Sequence, residues 1–151
     1  MHIRRGTRED ASCIARHNRA LAAESEGYTV DAATALEGVT ALLDSPEKGF
    51  YLVAEEEGQV VGQLMVTFEW SDWRARDIWW LQSVYVQPAW RRRGVMRSLF
   101  DQARRLAARH HVPALRLYVH QSNRSAIEAY RRLGMEHLPY HMFSLPVEHE
   151  Q

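Results

Sequence analysis

The 151-residue sequence contains one cysteine, Cys13, and one lysine, Lys48. A single cysteine excludes an intrachain disulfide framework, and an isolated cysteine in a helical stretch is typically a small buried hydrophobe. No apolar run approaches the roughly 18–20 residues that a membrane span needs, and the first residues lack the apolar core of a signal peptide. We therefore expect a cytoplasmic protein that does not insert into membranes.

Several motifs of common enzymes are also missing. The sequence has no Gly-Lys-Ser/Thr phosphate loop, no G-x-G-x-x-G dinucleotide motif and no G-x-S-x-G nucleophile turn. His110 and His111 lie together without a cysteine or carboxylate at ligand spacing. The other histidines are scattered, so no metal site is predicted.

The net charge of zero conceals two oppositely charged halves. Residues 1–90 carry 8 Lys/Arg and 14 Asp/Glu, a balance of −6, whereas residues 91–151 carry 11 Arg and 5 Asp/Glu, a balance of +6. An anionic ligand would favour the second half and a cationic ligand the first. Many of these charges also suit solvated helix faces, so the asymmetry alone does not identify a site.

At this length, and with 46% apolar residues, we expect one globular domain over residues 1–151. Apolar periodicity predicts strands over residues 2–6, 50–55, 60–70, 78–86, 114–120 and 138–147, and helices over 7–23, 31–45, 94–110 and 123–133. The helix between the strands at 78–86 and 114–120 implies that these strands run parallel. The predicted fold is α/β: a mixed sheet of about six strands with helices on both faces.

A strand leads directly into a helix at residues 84–97, where the sequence reads VYVQPAWRRRGVMR. The first four N–H groups of a helix have no intrahelical partner, and the helix dipole adds roughly half a positive charge at that end. Gly94 allows a bulky group to approach the backbone closely, and three successive arginines attract anions. The segment therefore predicts a phosphate or pyrophosphate site.

A second segment follows the expected parallel strand and reads NRSAIEAYRRLGM over residues 123–135. Together with the RRRGVM turn at residues 91–96, it resembles the GNAT acetyltransferase superfamily. That family has R/Q-x-x-G-x-G/A after one strand, and N-x-x-A-x-x-x-Y followed by Leu-Gly after the next. The matching positions of the second motif are Asn123, Ala126, Tyr130, Gly134 and Met135. Met96 departs from the Gly or Ala of the family, so its larger side chain has to point away from the pyrophosphate.

The resemblance implies that the chain uses acetyl-CoA as a co-substrate, without a metal, and acetylates an amine by direct attack in a ternary complex. The amides of residues 92–97 would hold the pyrophosphate, the strand at 84–86 would pair with the pantetheine arm, and Tyr130 would protonate the departing thiolate. Asn123 either contacts the cofactor or caps the following helix. The residues expected at the cofactor are Val84, Tyr85, Val86, Arg91, Arg92, Arg93, Gly94, Val95, Met96, Arg97, Asn123 and Tyr130.

The segments 67–73 and 81–85 resemble spermidine/spermine and thialysine acetyltransferases, which carry Glu-Asp where this chain has Gln82-Ser83. Neither substitute can serve as a conventional base, so another carboxylate has to take that role. The candidates are Glu69, which we take first, and Glu24, Glu26 and Asp72. Acidic and aromatic side chains attract cationic amines, so we expect the primary amine of a small molecule as the acceptor. The residues expected there are Glu24, Glu26, Trp70, Asp72, Trp80 and Gln82.

Two other functions fit parts of the sequence. The Gln82-Ser83 pair and Met96 would suit a module that binds acetyl-CoA and regulates without catalysis. The 11 arginines of residues 91–132 would suit a nucleic-acid-binding domain, but the chain has only one lysine and we expect no nucleic-acid partner. An exposed final strand over residues 138–147 would support a homodimer.

Overall fold

The computed structural model describes residues 1–150. The strands are β1 (His2–Arg5), β2 (Gly49–Glu56), β3 (Gln59–Ser71), β4 (Arg76–Val86) and β5 (Leu115–Arg116), and the helices are α1 (Ala11–Glu26), α2 (Ala32–Leu43), α3 (Val95–Arg109) and α4 (Arg124–Arg132). Within this described range, no helix is both long and apolar enough to cross a membrane.

Local chemistry explains several of these boundaries. The Asp31 carboxylate accepts a hydrogen bond from the Thr34 N–H at 3.0 Å and so caps α2 at the start of the helix predicted over 31–45. Helix α1 ends where Gly27 adopts the left-handed conformation, with φ 62°. Between β2 and β3, Glu57 and Gly58 both have positive φ, which is the two-residue turn that matches the twist of a hairpin.

The five strands form one sheet in the order β1-β2-β3-β4-β5. The first three pairings are antiparallel and the last, between β4 and β5, is parallel. Helix α3 connects this parallel pair, as the length of the connection requires. The predicted mixed α/β sheet is therefore confirmed.

Helices cover both faces of the sheet. Alternate residues of β2 divide between two buried clusters: Leu52 packs in the cluster that contains Leu99 and Phe100 of α3, whereas Val53 packs in the cluster that contains Ile14 of α1. Because successive strand residues point to opposite faces, α3 covers one face, and α1 and α2 cover the other. This arrangement fixes α1 and α3 on opposite sides of β4.

The expected sixth strand over residues 138–147 is wrong for the described chain, which has five strands. The expected strand over 114–120 is also reduced to Leu115–Arg116. Residues 138–147 make no hydrogen bond to any strand within residues 1–150, and Phe143 is 91% exposed. Apolar alternation predicts a strand, but a strand forms only where a neighbouring edge pairs its backbone.

Candidate active site

The parallel strands β4 and β5 separate soon after they meet. Only Trp79 with Leu115 and Trp80 with Arg116 are paired. Beyond these pairs, a cleft of about 370 Å³ opens between residues 81–84 of β4 and residues 117–120. We call it the central cleft; it leaves the backbone of β4 unpaired on one edge and accessible to an extended ligand.

A bulge in the sheet accompanies this separation. Ser83 has a φ of 51°, which is uncommon for a residue other than glycine. The register of β3 against β4 shifts between Gln63 and Met65, directly across from this position. Because a bulge bends the strand that carries it, it accounts for the departure of β4 from β5 at the cleft.

Two helices wall the central cleft. One face of α1 contributes Asn18 and Ser25, which lie two turns apart on the same side of the helix. The α4 segment contributes Asn123 and Tyr130, and β4 contributes Gln82, Ser83 and Val84. Sequence reasoning named neither residue, because helical periodicity places both on one face of α1 but does not show which element that face meets.

The N-terminus of α3 is open. Gly94 precedes the helix with φ 81°, and no side chain caps it. The amides of Arg92, Arg93 and Gly94 donate to no protein acceptor within residues 1–150, and these three residues are exposed. Met96 is partly buried and packs against the core, so its side chain leaves the helix start free. This end of α3 presents uncompensated N–H groups, which attract an anion.

The neighbouring arginines are not equivalent. Arg91 makes an ion pair with Glu24 at 2.7 Å and donates to the Val86 carbonyl at 2.9 Å. Arg93 lies over the Trp90 ring. Arg92 and Arg97 are exposed and form no ion pair within the described chain.

The remaining residues expected at the cofactor lie on β4 and α3. Val84 and Val86 are partly buried and pack against the core cluster on the α3 face. Val95 is a buried member of that cluster. Tyr85 faces the opposite side, with its ring 5.0 Å from that of His17 and its hydroxyl 3.4 Å from Glu24. The side chains of this strand are therefore core residues, and its contribution to a ligand would come from its backbone.

Helix α4 brings two expected residues to the cleft. The Asn123 amide oxygen accepts a hydrogen bond from the Ala126 N–H at 3.3 Å, so Asn123 caps α4 and also lines the cleft. Tyr130 packs against the Phe100 ring, and burial raises the pKa of its phenol. The phenol has no hydrogen-bond partner within residues 1–150, so its proton is available to a ligand.

The carboxylates expected to act as a base lie in different places. Glu69 accepts a hydrogen bond from the Trp80 indole at 3.0 Å, lies 3.8 Å from Arg116, and does not line the cleft. Glu24 is occupied by its ion pair with Arg91. Glu26 lines the cleft and has no ion-pair partner among the described residues.

Of the other residues expected at the acceptor, Gln82 lines the cleft, where its amide donates to the Thr67 hydroxyl at 2.6 Å. The ring of Trp80 lies 6.2 Å from that of Tyr118, which is itself part of the cleft wall. Trp70 is 64% exposed and lies with Asp72 at the far end of the β3–β4 hairpin, away from the cleft.

A buried polar network supports the bulge from the α1 side. Gln63 is fully buried; its carbonyl oxygen lies 3.0 Å from His17 Nδ1, and its amide donates to Asn18 at 2.8 Å and to the Ser83 carbonyl at 3.4 Å. The Gln87 amide lies 3.2 Å from His17 Nε2. Because that amide donates, Nε2 accepts and Nδ1 carries the proton. Burial lowers the pKa of His17, which favours this neutral form.

Comparisons with known proteins agree with this geometry. Residues 15–135 match the sequence pattern of the acetyltransferase (GNAT) family. The chain is 32% identical over 96 residues to an uncharacterized N-acetyltransferase of Methanocaldococcus jannaschii, across 63% of this chain and 42% of that protein. It is 32% identical over 79 residues to the thialysine N-epsilon-acetyltransferase of Bos taurus, across 52% and 46%.

The matched segments thus span less than half the length of either sequence relative.

The crystal structure of a "possible acetyltransferase" from Clostridium difficile 630 superposes with a TM-score of 0.92 at 38% identity, over 98% of both chains. The resemblance inferred from the turn at residues 91–96 and the segment at 123–135 is confirmed by these matches.

Proposed function

The chain belongs to the acetyltransferase (GNAT) family, and we propose that it transfers the acetyl group of acetyl-CoA to the primary amine of a small molecule, by direct attack in a ternary complex. The proposal depends on one observation: the strand that borders the central cleft leads into an uncapped helix N-terminus. We further propose that it acts in the cytoplasm, since its one cysteine permits no intrachain disulfide.

The turn before α3 suits the diphosphate of the co-substrate. The amides of residues 92–97 can donate to phosphate oxygens, and the helix dipole favours the negative charge. A Cβ built on Gly94 would meet nothing within 4 Å, so a phosphate has room beside the backbone. We assign the supporting charges to Arg92, Arg93 and Arg97, because Arg91 already pairs with Glu24.

The unpaired edge of β4 suits the pantetheine arm. Its amide groups can pair with the backbone of residues 84–86 as an added strand would. When bound, acetyl-CoA supplies the activated acetyl thioester. The Val84 N–H, at the bulge, is the group that we assign to polarise the thioester carbonyl.

Tyr130 is the proposed general acid. Burial raises its phenol pKa above the ordinary value, so the side chain keeps its proton at neutral pH. It can donate that proton to the sulfur as the C–S bond breaks; because the thiol pKa of ~8.5 lies below that of the phenol, the phenolate then regains a proton from solvent.

Glu26 is the proposed base, in place of Glu69. An ammonium with a pKa of about 10.4 has to lose a proton before it can attack, and the base has to reach that proton directly or through one water. Glu26 lines the cleft, whereas Glu69 does not. The Glu69 carboxylate also already accepts a hydrogen bond from the Trp80 indole and lies beside Arg116.

The size and lining of the cleft favour a small cationic acceptor. Its volume of about 370 Å³ is in the range of small-molecule sites, and the thioester end of acetyl-CoA would share it, so only a small acceptor fits beside the co-substrate. Glu26 offers a negative charge and Tyr118 an aromatic face, and both attract an ammonium. The name of the bovine relative also specifies an ε-nitrogen, that of thialysine, as the acceptor.

The test is an acceptor screen that follows thiol release from acetyl-CoA across polyamines, aminoglycosides, amino acids and short peptides. We expect release with at least one small amine. A Tyr130→Phe variant should lose about 100-fold or more in kcat, with acetyl-CoA affinity nearly unchanged, because the ring still packs on Phe100. Binding of acetyl-CoA without transfer to any amine would instead identify a regulatory module, and transfer to peptides alone would refute a small-molecule acceptor.

A further inference from the structure

A second cavity lies at the end of the sheet opposite the diphosphate turn, where β4 begins and α3 ends. Its volume is about 410 Å³, which is in the range of small-molecule sites, and it shares no lining residue with the central cleft. The 15 residues of α3 extend about 22 Å, whereas the 13 residues of β3 extend about 43 Å. The helix therefore ends before the sheet does, and this cavity, which we call the distal cavity, opens beyond its last turn.

The floor of the distal cavity is aromatic. Phe50, Phe68 and Trp79 come from the neighbouring strands β2, β3 and β4 and lie on the face that α3 covers. The ring of Trp79 lies 5.3 Å from that of Phe50 and 6.0 Å from that of Phe68. His110, the first residue after α3, places its ring 5.7 Å from that of Trp79 and closes one side. These rings offer an apolar surface on which the ring of a ligand can pack.

An arginine without a carboxylate partner borders this floor. The guanidinium carbon of Arg5 lies 3.6 Å from the centre of the Phe50 ring, and Arg5 forms no ion pair within residues 1–150. Its neighbour Arg4, in contrast, pairs with both Asp10 and Glu55. Burial lowers the pKa of Arg5, because the guanidinium is partly desolvated and no carboxylate compensates. An anionic ligand would supply the missing partner.

The remaining charges of the lining define the charge of that ligand. Arg76 and Asp77 also line the distal cavity, and neither forms an ion pair among the described residues. With His110 neutral, the lining carries two positive charges and one negative charge, a balance that suits a monoanion. A dianion such as a phosphate monoester would be repelled more strongly by Asp77. A planar guanidinium matches a carboxylate through two parallel hydrogen bonds, so a carboxylate is the favoured anion.

We propose that the distal cavity binds an aromatic carboxylate, with its ring on the floor formed by Phe50, Phe68 and Trp79 and its carboxylate on Arg5 and Arg76. The site is separate from the central cleft, and the assignment does not depend on the proposed acetyl transfer. It also has a structural connection to that chemistry. Strand β4 runs from the distal cavity to the diphosphate turn, and α3 returns from the turn to the cavity.

The first test is calorimetric titration of the full-length protein with phenylacetate and with indole-3-acetate. A ligand of about ten heavy atoms in such a site can reach a Kd below about 1 mM, and we expect this of at least one of the two probes. Phenylacetamide is the matched control, because it has the same shape without the charge. It should bind about tenfold more weakly or worse. No binding of either acid at 10 mM (a concentration about tenfold above that Kd), or equal binding of acid and amide, would overturn the proposal.

The second test locates the binding. Arg5→Gln and Arg76→Gln should each weaken the affinity for the bound acid by about tenfold, whereas Asp77→Asn should strengthen it. All three side chains belong to exposed residues, so the variants should fold, which circular dichroism verifies. Arg74→Gln is the matched control, because Arg74 is exposed in the same turn but does not line the cavity.

Arg92→Gln is a second control, since a carboxylate could also bind at the diphosphate turn. The affinity should be unchanged in both controls. Loss of binding in Arg92→Gln would place the probe at the diphosphate turn and refute the proposal, as would unchanged binding in both Arg5→Gln and Arg76→Gln. Each readout is an affinity, so none of these outcomes depends on acetyl transfer.

Discussion

The hydrogen bonds of Gln63 hold the bulge at Ser83 against α1, and their removal should be measurable. Leucine at position 63 keeps nearly the same volume, so no large cavity forms. It removes the acceptor of His17 Nδ1 and the donors to Asn18 and to the Ser83 carbonyl. Asn18 borders the cleft and can bond to water, but His17 is only 7% exposed.

The expected loss of stability follows from the groups left unpaired. Each buried donor or acceptor without a partner costs about 1–3 kcal/mol. With His17 Nδ1 and the Ser83 carbonyl affected, we expect Gln63→Leu to lower the unfolding free energy by about 2–4 kcal/mol. That is a large part of the roughly 5–15 kcal/mol that stabilises a typical domain.

The assay is urea unfolding of the wild type, Gln63→Leu, His17→Phe and the double variant. Because the double variant removes both polar partners, its loss should be smaller than the sum of the two single losses by about 0.5–3 kcal/mol. The single variant should also raise the KM for acetyl-CoA, since the bulge that separates β4 from β5 loses a support. Strictly additive losses, or a Gln63→Leu protein within about 0.5 kcal/mol of the wild type, would refute this account of the network.

Three further predictions concern the diphosphate turn, the base and pH. Gly94→Ala should weaken acetyl-CoA binding about 5- to 30-fold by calorimetry, because a left-handed alanine costs about 1–2 kcal/mol and the free turn will relax away from it. Gly38→Ala, in the middle of α2, should leave binding unchanged. Glu26→Gln should lower kcat/KM about 100-fold or more, whereas Glu69→Gln should change it little; the reverse result would restore Glu69 as the base. Because burial depresses the pKa of His17, the unfolded chain binds more protons, so the unfolding free energy should fall as the pH drops below about 6.5. His17→Gln should reduce that slope in urea titrations, and an unchanged slope would exclude His17 as its source.

The parts of this protein that follow from the sequence are those set by local chemistry. Asp31 reveals the start of α2, and the glycine at 58 marks the hairpin turn. The open start of α3 is predicted from the strand, the arginines and Gly94, all within a short segment. In each case the residues that determine the feature are neighbours in sequence, so their pattern is sufficient.

The parts that do not follow depend on pairs that are far apart in the chain. Glu24 and Arg91 are 67 residues apart, and nothing in either segment shows that their charges neutralise each other. The same holds for Glu69, whose partners are the Trp80 indole and Arg116. The alternation at 138–147 predicts a strand that the described chain does not form, because a strand also needs a neighbouring edge with which to pair its backbone.

The long-range pairs also have a common mechanical consequence. Three contacts connect α1 to the β3–β4 segment that ends in the diphosphate turn. They join Glu24 with Arg91, Asn18 with Gln63, and His17 with Gln63. Helix α1 forms the wall of the cleft that we assign to the acceptor, while β4 forms the edge that we assign to acetyl-CoA. Because these contacts fix the two walls relative to each other, the distance between amine and thioester is set before either substrate binds, which is the condition for efficient direct transfer. A substitution in the network should therefore reduce kcat for every acceptor by a similar factor, whereas a substitution at Gln82 or Tyr118, which only line the wall, should change the ranking of acceptors.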